Sequence, residues 1–306
     1  MYMKILVVGG TGHAGTYLVP MLLKEGHEVY VGSRGNTRCR VPEGFSGAKY
    51  ITLDTKGGQD LSFLKDYAFD TVVDFPGTAY KLWEVLKDSI GHLVACGSLW
   101  MLGNPKIVPT PEVTQDRVPF EGYAERYDEI LKMKSESGKF GAVFTAIMPP
   151  NFAGPGKIPL DPMGGRSVEN QKKLMRGEEL ILPEGPEALI GPCDASDIAS
   201  LFDLAINNRE ASGGEIFNVG SEYALTISEF VRVYARIYKT DIPIRRVSWE
   251  SYVKDVNPSI GAWWHFYAHM CPDISKAKNK LGYRPRFTPE EAIERAVAWM
   301  RDEGML

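Results

Sequence analysis

The chain has 306 residues, 44% of them hydrophobic and 24% charged, with a formal net charge of −4. That length can bury a large core in one big domain or two, the balance is that of a soluble globular protein, and the charge offers no electrostatic footprint for nucleic acid. The apolar runs are too short and too broken by charge to span a membrane, the four cysteines (Cys39, Cys96, Cys193, Cys271) match no metal-ligand spacing, and a reduced cytoplasmic setting without a signal peptide is expected.

Met1 to Arg38 organise the rest. An apolar strand, Lys4 to Val8, runs into the turn Gly9-Gly10-Thr11-Gly12-His13-Ala14-Gly15. A helical run follows from Thr16 to Glu25, and a second strand, Glu28 to Val31, ends in Gly32-Ser33-Arg34. This pattern is half of a βαβ nucleotide-binding unit. The glycines at 9, 12 and 15 suit a tight turn, a close backbone approach to a pyrophosphate, and close packing of helix on strand. The helix start offers unpaired N–H groups and its positive dipole end to the phosphates. His13 reads as a residue positioned beside the phosphates rather than as a base.

The end of the second strand bears on the dinucleotide. An NAD site usually carries an acid there for the ribose hydroxyls, whereas an NADP site drops the acid and supplies Arg. The chain has Ser33-Arg34, then Arg38, with no acid before Glu43. A guanidinium can grip a 2′-phosphate that a carboxylate would repel, so NADP is expected over NAD; the plainer alternative makes Arg34 and Arg38 solvated loop charges.

Lys49 to Asp54 is the third strand, and Asp54 either accepts from the adenine amino group or serves as a cap or turn residue. Asp70 to Phe75 is a fourth strand closed by Pro76-Gly77, and Phe75, Pro76 and Gly77 join the cofactor-binding candidates. A helix at 79–89 and a fifth strand, His92 to Cys96, lead to Ser98. After a Pro-rich loop, Gly122 to Ser137 is helical and Ala142 to Met148 is the sixth strand, followed by Pro149, also assigned to the cofactor, and Asn151. Strands that are nearly all apolar and alternate with helices imply a parallel sheet covered on both faces. Beyond the Gly- and Pro-rich loop 154–166 come helices near 167–176, 195–207, 226–238 and 289–303, with short strands near 179–182 and 215–219. These make up a smaller second region, and the cleft beside the sheet's C-terminal edge is where ligands should bind.

Taken together, the glycine turn, Ser98 five residues before Gly103, Pro149-Pro150-Asn151 with Gly154-Pro155-Gly156, Asp197-Ile198-Ala199, Phe217-Asn218-Val219-Gly220 and Leu281-Gly282-Tyr283-Arg284-Pro285 resemble the extended short-chain dehydrogenase/reductase superfamily, of the nucleotide-sugar epimerase and dehydratase type. The segments 143–156 and 215–285 look most like the branch that includes chloroplast stem-loop-binding proteins. The resemblance implies a Rossmann-type α/β fold, a doubly wound parallel sheet over residues 1–153 with a smaller mixed substrate region over 154–306, parts of which cross back to the sheet. It also implies homodimers built on the 79–89 and 122–137 helices.

In that superfamily a Tyr moves the proton, a Lys four residues later lowers its pKa, and a Ser or Thr lies on the preceding strand. Here Ser98 matches the hydroxyl and Tyr123 the phenol, but the residue four on is Tyr127, and Lys132 is rotated off the face. Arg126 is the nearest helical cation. The alternatives are an interface aromatic for Tyr123 and a strand-end cap for Ser98. Asn151 matches a substrate-binding residue of sugar-nucleotide members, although Met148 replaces the frequent Arg before the prolines and Asp194 replaces a frequent His. The aromatic stretch 261–270 fits a pocket lid, with Trp263 and His265 as substrate contacts; no metal is expected. The first reading is an NADP-dependent epimerase-like or reductase-like enzyme for a polar small molecule, such as a sugar or nucleotide-sugar derivative. The second is a non-redox NADP sensor or RNA-associated protein.

Overall fold

The computed structural model describes residues 2–35 and 44–306. In chain order its main strands are β1 (Lys4–Val8), β2 (Glu28–Ser33), β3 (Lys49–Thr52), β4 (Thr71–Asp74), β5 (His92–Cys96), β6 (Val143–Met148) and Glu215–Asn218. They form one seven-stranded sheet in the spatial order Glu215–Asn218, β6, β5, β4, β1, β2, β3, and every pairing is parallel.

The apolar runs follow from burial on both faces. Successive strand side chains point to opposite sides, so a strand covered on each side must be apolar throughout. In β1, Ile5 and Val7 face Leu18, Val19 and Leu22 of α1 (Gly15–Lys24) and the helix Ala195–Asn207. Leu6 and Val8 face Leu82 and Trp83 of α2 (Ala79–Leu86) and Ile130 of α3 (Glu121–Glu136). Trp83 is fully buried, and its indole N–H donates to Glu136 across 2.8 Å, which ties α2 to α3. Truncating such a side chain costs roughly 3–5 kcal/mol.

One strand lies elsewhere than its sequence position suggested. Glu215–Asn218, expected in the second region, pairs with β6 as the sheet's edge. Its residues alternate like the other sheet strands, Ile216 toward α2 and α3, Phe217 toward α1. The helix before it, Ala195–Asn207, packs against α1 rather than in the second region.

The rest of the chain has its own core around Leu174, Leu182, Phe230, Tyr234 and Val297. Its last helix, Pro289–Asp302, starts at a capping box in which Thr288 and Glu291 each accept from the other's backbone, with Pro289 at the first helical position. A helix over Ile260–Tyr267 packs toward the sheet's C-terminal edge. No helix among the described residues is long and apolar enough to cross a membrane.

Where α1 meets Ala195–Asn207, Asn207 Nδ2 donates to Glu25 at 2.9 Å and to Asp203 at 3.3 Å. Burial, with the Glu25 carboxylate beside it, pushes Asp203 up to about 7. The folded protein therefore binds a proton that the unfolded chain releases near pH 4, and this site's contribution to stability falls as pH rises from about 4 to about 7. Asp203→Asn should gain on the parent across that window and be more stable at pH 8, by roughly 1–2 kcal/mol after allowing for partial exposure. Thermal melts of both proteins at pH 5 and pH 8 check this; a difference that does not change with pH would show that Asp203 is not titrating there.

Candidate active site

The glycine turn leaves β1 and is closed by contact with itself. A Cβ at Gly15 would stand 2.6 Å from the backbone of Gly10, so only glycine lets α1 start there. Ala14, the residue ahead of α1, makes no side-chain cap, and the first turn holds no acid. The positive dipole end therefore stands uncapped by any side chain, which suits a pyrophosphate, although the N–H groups of Thr16 and Tyr17 already donate to the Gly12 and Ala14 carbonyls.

A cleft of about 500 Å³ opens at this point, over the C-terminal ends of the strands. Of the residues assigned to a cofactor, Gly9, Gly12, His13, Ala14, Phe75, Pro76 and Pro149 line it. A smaller pocket, about 180 Å³, adjoins it through Gly9, Gly12 and Pro76, and brings in Thr11, Ser33, Arg34 and Asp54. Gly10 and Gly15 line neither pocket but shape the turn beneath, and Gly77 borders the neighbouring groove. Arg38 lies outside the described residues. Asp54 Oδ1 accepts from the N–H groups of Lys56 and Gly57, so its carboxylate folds its own turn at the pocket's edge.

His13 is held from across the cleft. Its Nε2 lies 2.9 Å from the carbonyl of Pro155, to which Tyr17 Oη also donates. With Nε2 donating, Nδ1 is bare, and it is buried without a partner. Burial, aided by Lys157, pulls His13 down to about 4, so the ring is neutral near pH 7.

Ser98 and Tyr123 both reach the cleft. Ser98 caps the short turn after β5, its Oγ accepting from Trp100 N–H at 3.3 Å, so capping and facing the cleft coexist. Tyr123 stands with its ring 5.7 Å from Trp100 and 5.9 Å from Phe120. Four residues on, Tyr127 is buried in the core. Lys132 donates to Tyr80 on α2 and does not serve the cleft. Arg126 does, its guanidinium 5.8 Å from the Tyr123 ring. The guanidinium rests on Gly77, which has φ +78° and where any Cβ would collide with it. Beneath, buried Asp74 accepts from Thr78 N–H and Oγ1, each at 2.7 Å, and burial raises its pKa although Arg126 opposes that.

Asn151 and His265 line the same cleft. Asn151 Nδ2 and His265 Nδ1 are both buried without partners. The His265 ring packs 4.8 Å from Trp100, and burial pushes it down to about 3. Trp263, read as a substrate contact, is turned away and packs among Trp249, Trp264 and Tyr267, because the helical turn that aims His265 inward rotates it off the cleft. The helix ends at Tyr267, so His269 shares no face with His265 and accepts from Leu189 N–H instead. No metal-binding group of His, Cys, Asp or Glu occurs among the described residues. Trp100, Lys157, Arg166 and Met270 also line the cleft and were missed. The only signal for the first three was position: two residues after Ser98, and within the loop that follows Asn151.

The closeness of α1 to its own turn carries a prediction. Gly15→Ala must separate Gly10 from the helix, costing roughly 1–3 kcal/mol and most dinucleotide affinity. Melting and calorimetric titration of the variant measure both, and an unaltered melting temperature would mean the contact is looser than 2.6 Å implies.

Residues 5–85 match the NAD dependent epimerase/dehydratase family. Over 95% of this chain and 93% of the relative, it is 25% identical to a UDP-glucose 4-epimerase of Corynebacterium glutamicum. It is 26% identical to the chloroplast stem-loop binding protein of 41 kDa b of Arabidopsis thaliana, over 95% of this chain and 77% of that protein. In fold it superposes with a TM-score of 0.74 on UDP-glucuronic acid 4-epimerase from Bacillus cereus, in complex with UDP-glucuronic acid and NAD, at 16% identity and covering 98% of this chain and all of that one. Over residues 5–85 by family model, and over nearly the whole chain by these relatives and by fold, the chain is similar to proteins of the NAD-dependent epimerase/dehydratase type.

Proposed function

We propose that this protein is a nicotinamide-dinucleotide-dependent epimerase-like or reductase-like enzyme acting on a polar small molecule, a sugar or nucleotide-sugar derivative. The observation that carries the reading is the meeting of the glycine turn, Ser98, Tyr123 and Arg126 in one cleft. The glycine turn and the start of α1 hold the pyrophosphate. When bound, the nicotinamide supplies the hydride donor or acceptor. Ser98 Oγ bonds the reacting substrate oxygen, and Tyr123 Oη takes or returns its proton. Arg126 sets a positive charge 5.8 Å from the Tyr123 ring, in the place of the charge that the superfamily obtains from lysine. Trp100, Phe120 and Tyr123 wall the reacting centre from water, which strengthens each of these interactions.

For the dinucleotide we infer NADP. Arg34 stands in the pocket beyond the glycine turn with Ser33, where an NAD site would place an acid, and Asp54, the one carboxylate lining it among the described residues, is engaged in its own turn. The Bacillus cereus relative carries NAD, which makes the choice worth measuring. Titration with NADP, NADPH, NAD and NADH should favour the phosphorylated pair, and Arg34→Ala should weaken that pair by roughly tenfold with little effect on NAD. Equal affinity for all four would remove the 2′-phosphate role of Arg34.

Hydride transfer followed by nicotinamide absorbance tests the chemistry. Tyr123→Phe should lower turnover by about 10²–10⁴-fold, and Arg126→Met should lower it as well while Arg126→Lys restores part of the rate. Tight dinucleotide binding with no turnover on any sugar or carbonyl compound would favour the non-redox reading, to which the diversion of Lys132 onto Tyr80 lends support.

A further inference from the structure

Arg166 lines the cleft, and the proposed chemistry does not use it. It ends the loop 154–166 and stands where the cleft passes from the glycine turn to the aromatic helix, close enough to act electrostatically on both His13 and His265. Its Nη1 donates to the Ile158 carbonyl at 2.9 Å, and among the described residues no carboxylate lies within ion-pair distance. The nearest acid, Asp161, is fully buried and spends its oxygens on the loop itself: Met163 N–H at 2.9 Å, Gly165 N–H at 3.2 Å and Asn170 Nδ2 at 3.0 Å. Burial accordingly holds the Arg166 guanidinium below its ordinary pKa. A largely buried cation that has no ion pair, with only the Asp161 carboxylate acting on it from beyond ion-pair distance, is costly, and an anion arriving in the cleft would relieve that cost.

The neighbours agree in sign. Asn151 offers a buried Nδ2 with no acceptor, and among the described residues no Asp or Glu lines the cleft. The surplus is of donors, so the ligand must be rich in acceptors. Its size is bounded too. About 500 Å³ has to take the nicotinamide end and the substrate together, and the wall is closed by His265 against Trp100 and by Trp264 and Phe120 behind them.

We propose that the substrate end of this cleft binds a compact polyhydroxylated oxyanion, a sugar or polyol bearing a carboxylate or phosphate monoester and no nucleoside, with Arg166 as its main anion ligand and Asn151 as a further donor. This rests on the cleft being the nicotinamide-dependent active site, and narrows its substrate class. Arg166 is a binding residue in this account; the proton chemistry stays with Tyr123.

Calorimetric titration of the full chain, with and without saturating NADP, tests it with glucose 6-phosphate, glucuronate, glucose and UDP-glucose. One or both of the first two should bind at least about tenfold more tightly than glucose, and UDP-glucose no more tightly than the better of them. The two anions separate a phosphate from a carboxylate site. Arg166→Met should weaken the preferred anion by roughly tenfold to a hundredfold and Arg166→Lys by less, with NADP affinity held within about twofold. Glucose binding as well as either anion, or UDP-glucose binding best, overturns the proposal in the parent protein, whatever happens to the fold of the variants. A parallel loss of NADP affinity in a well-folded Arg166→Met would assign the guanidinium to the dinucleotide phosphates and also overturn it. None of these readouts needs turnover. A missing hydride transfer with the anion preference intact would sink the proposed activity alone, and active protein without that preference would sink only the anion site.

Discussion

A single carbonyl joins the two sides of the cleft. The Pro155 oxygen accepts from Tyr17 Oη, one turn into α1, and from His13 Nε2 in the glycine turn, both at 2.9 Å. The loop that carries it is itself pinned. Gly154 N–H donates to the Ala292 carbonyl in the last helix, and Asp194, fully buried, meets Arg295 of that helix at 3.0 Å. A residue near the end of the chain thereby fixes the height of a loop over the first helix. The consequence is positional: Pro149 and Asn151, just before this loop, and Lys157 and Arg166, within it, reach the cleft from an anchored backbone.

The same anchoring decides the charge of the cleft. Its imidazoles are neutral because burial lowers both, His13 to about 4 and His265 to about 3. Its carboxylates are kept out of the lining, Asp74 beneath the floor and Asp161 inside its loop. What remains charged is Arg126, Lys157 and Arg166. A low-dielectric wall of rings surrounds them, so their fields are strong where a substrate would lie.

How far this was legible in the sequence depended on the range of the interactions. The glycine turn and the strands β1 to β6 are local patterns, a fixed spacing of small residues and apolar runs set by two buried faces, and each lies within a residue or two of its expected place. Which edge Glu215–Asn218 would join could not be read, because pairing with β6 is a contact across some seventy residues and its apolar alternation suits either location. The aromatic stretch near residue 265 showed its composition but not its phase. Only the helix from Ile260 decides that His265 faces in and Trp263 faces away. Arg166 gave no signal beyond its place in the loop after Asn151, since its aim follows from Asp161 folding the loop ahead of it.

The departure at Tyr127 has a physical counterpart in Gly77. A lysine one helical turn after the phenol extends a thin chain and a point charge, which asks little of the opposite wall. An arginine three residues after the phenol brings a broad planar group, and that plane needs a flat bed. Gly77 supplies it: with φ +78° and no side chain, it lets the Arg126 guanidinium lie directly on the backbone after β4. The turn is held in that shape by Asp74, whose oxygens take both polar hydrogens of Thr78. Arg126 and Gly77 are in this sense one device made from two elements, and each makes sense of the other: a Cβ at 77 would expel the guanidinium, and without the guanidinium the open glycine would leave the cation's place beside Tyr123 empty. On the proposed reading, the degraded lysine motif is a change of cation and of its seat, rather than the loss of a charge from the site.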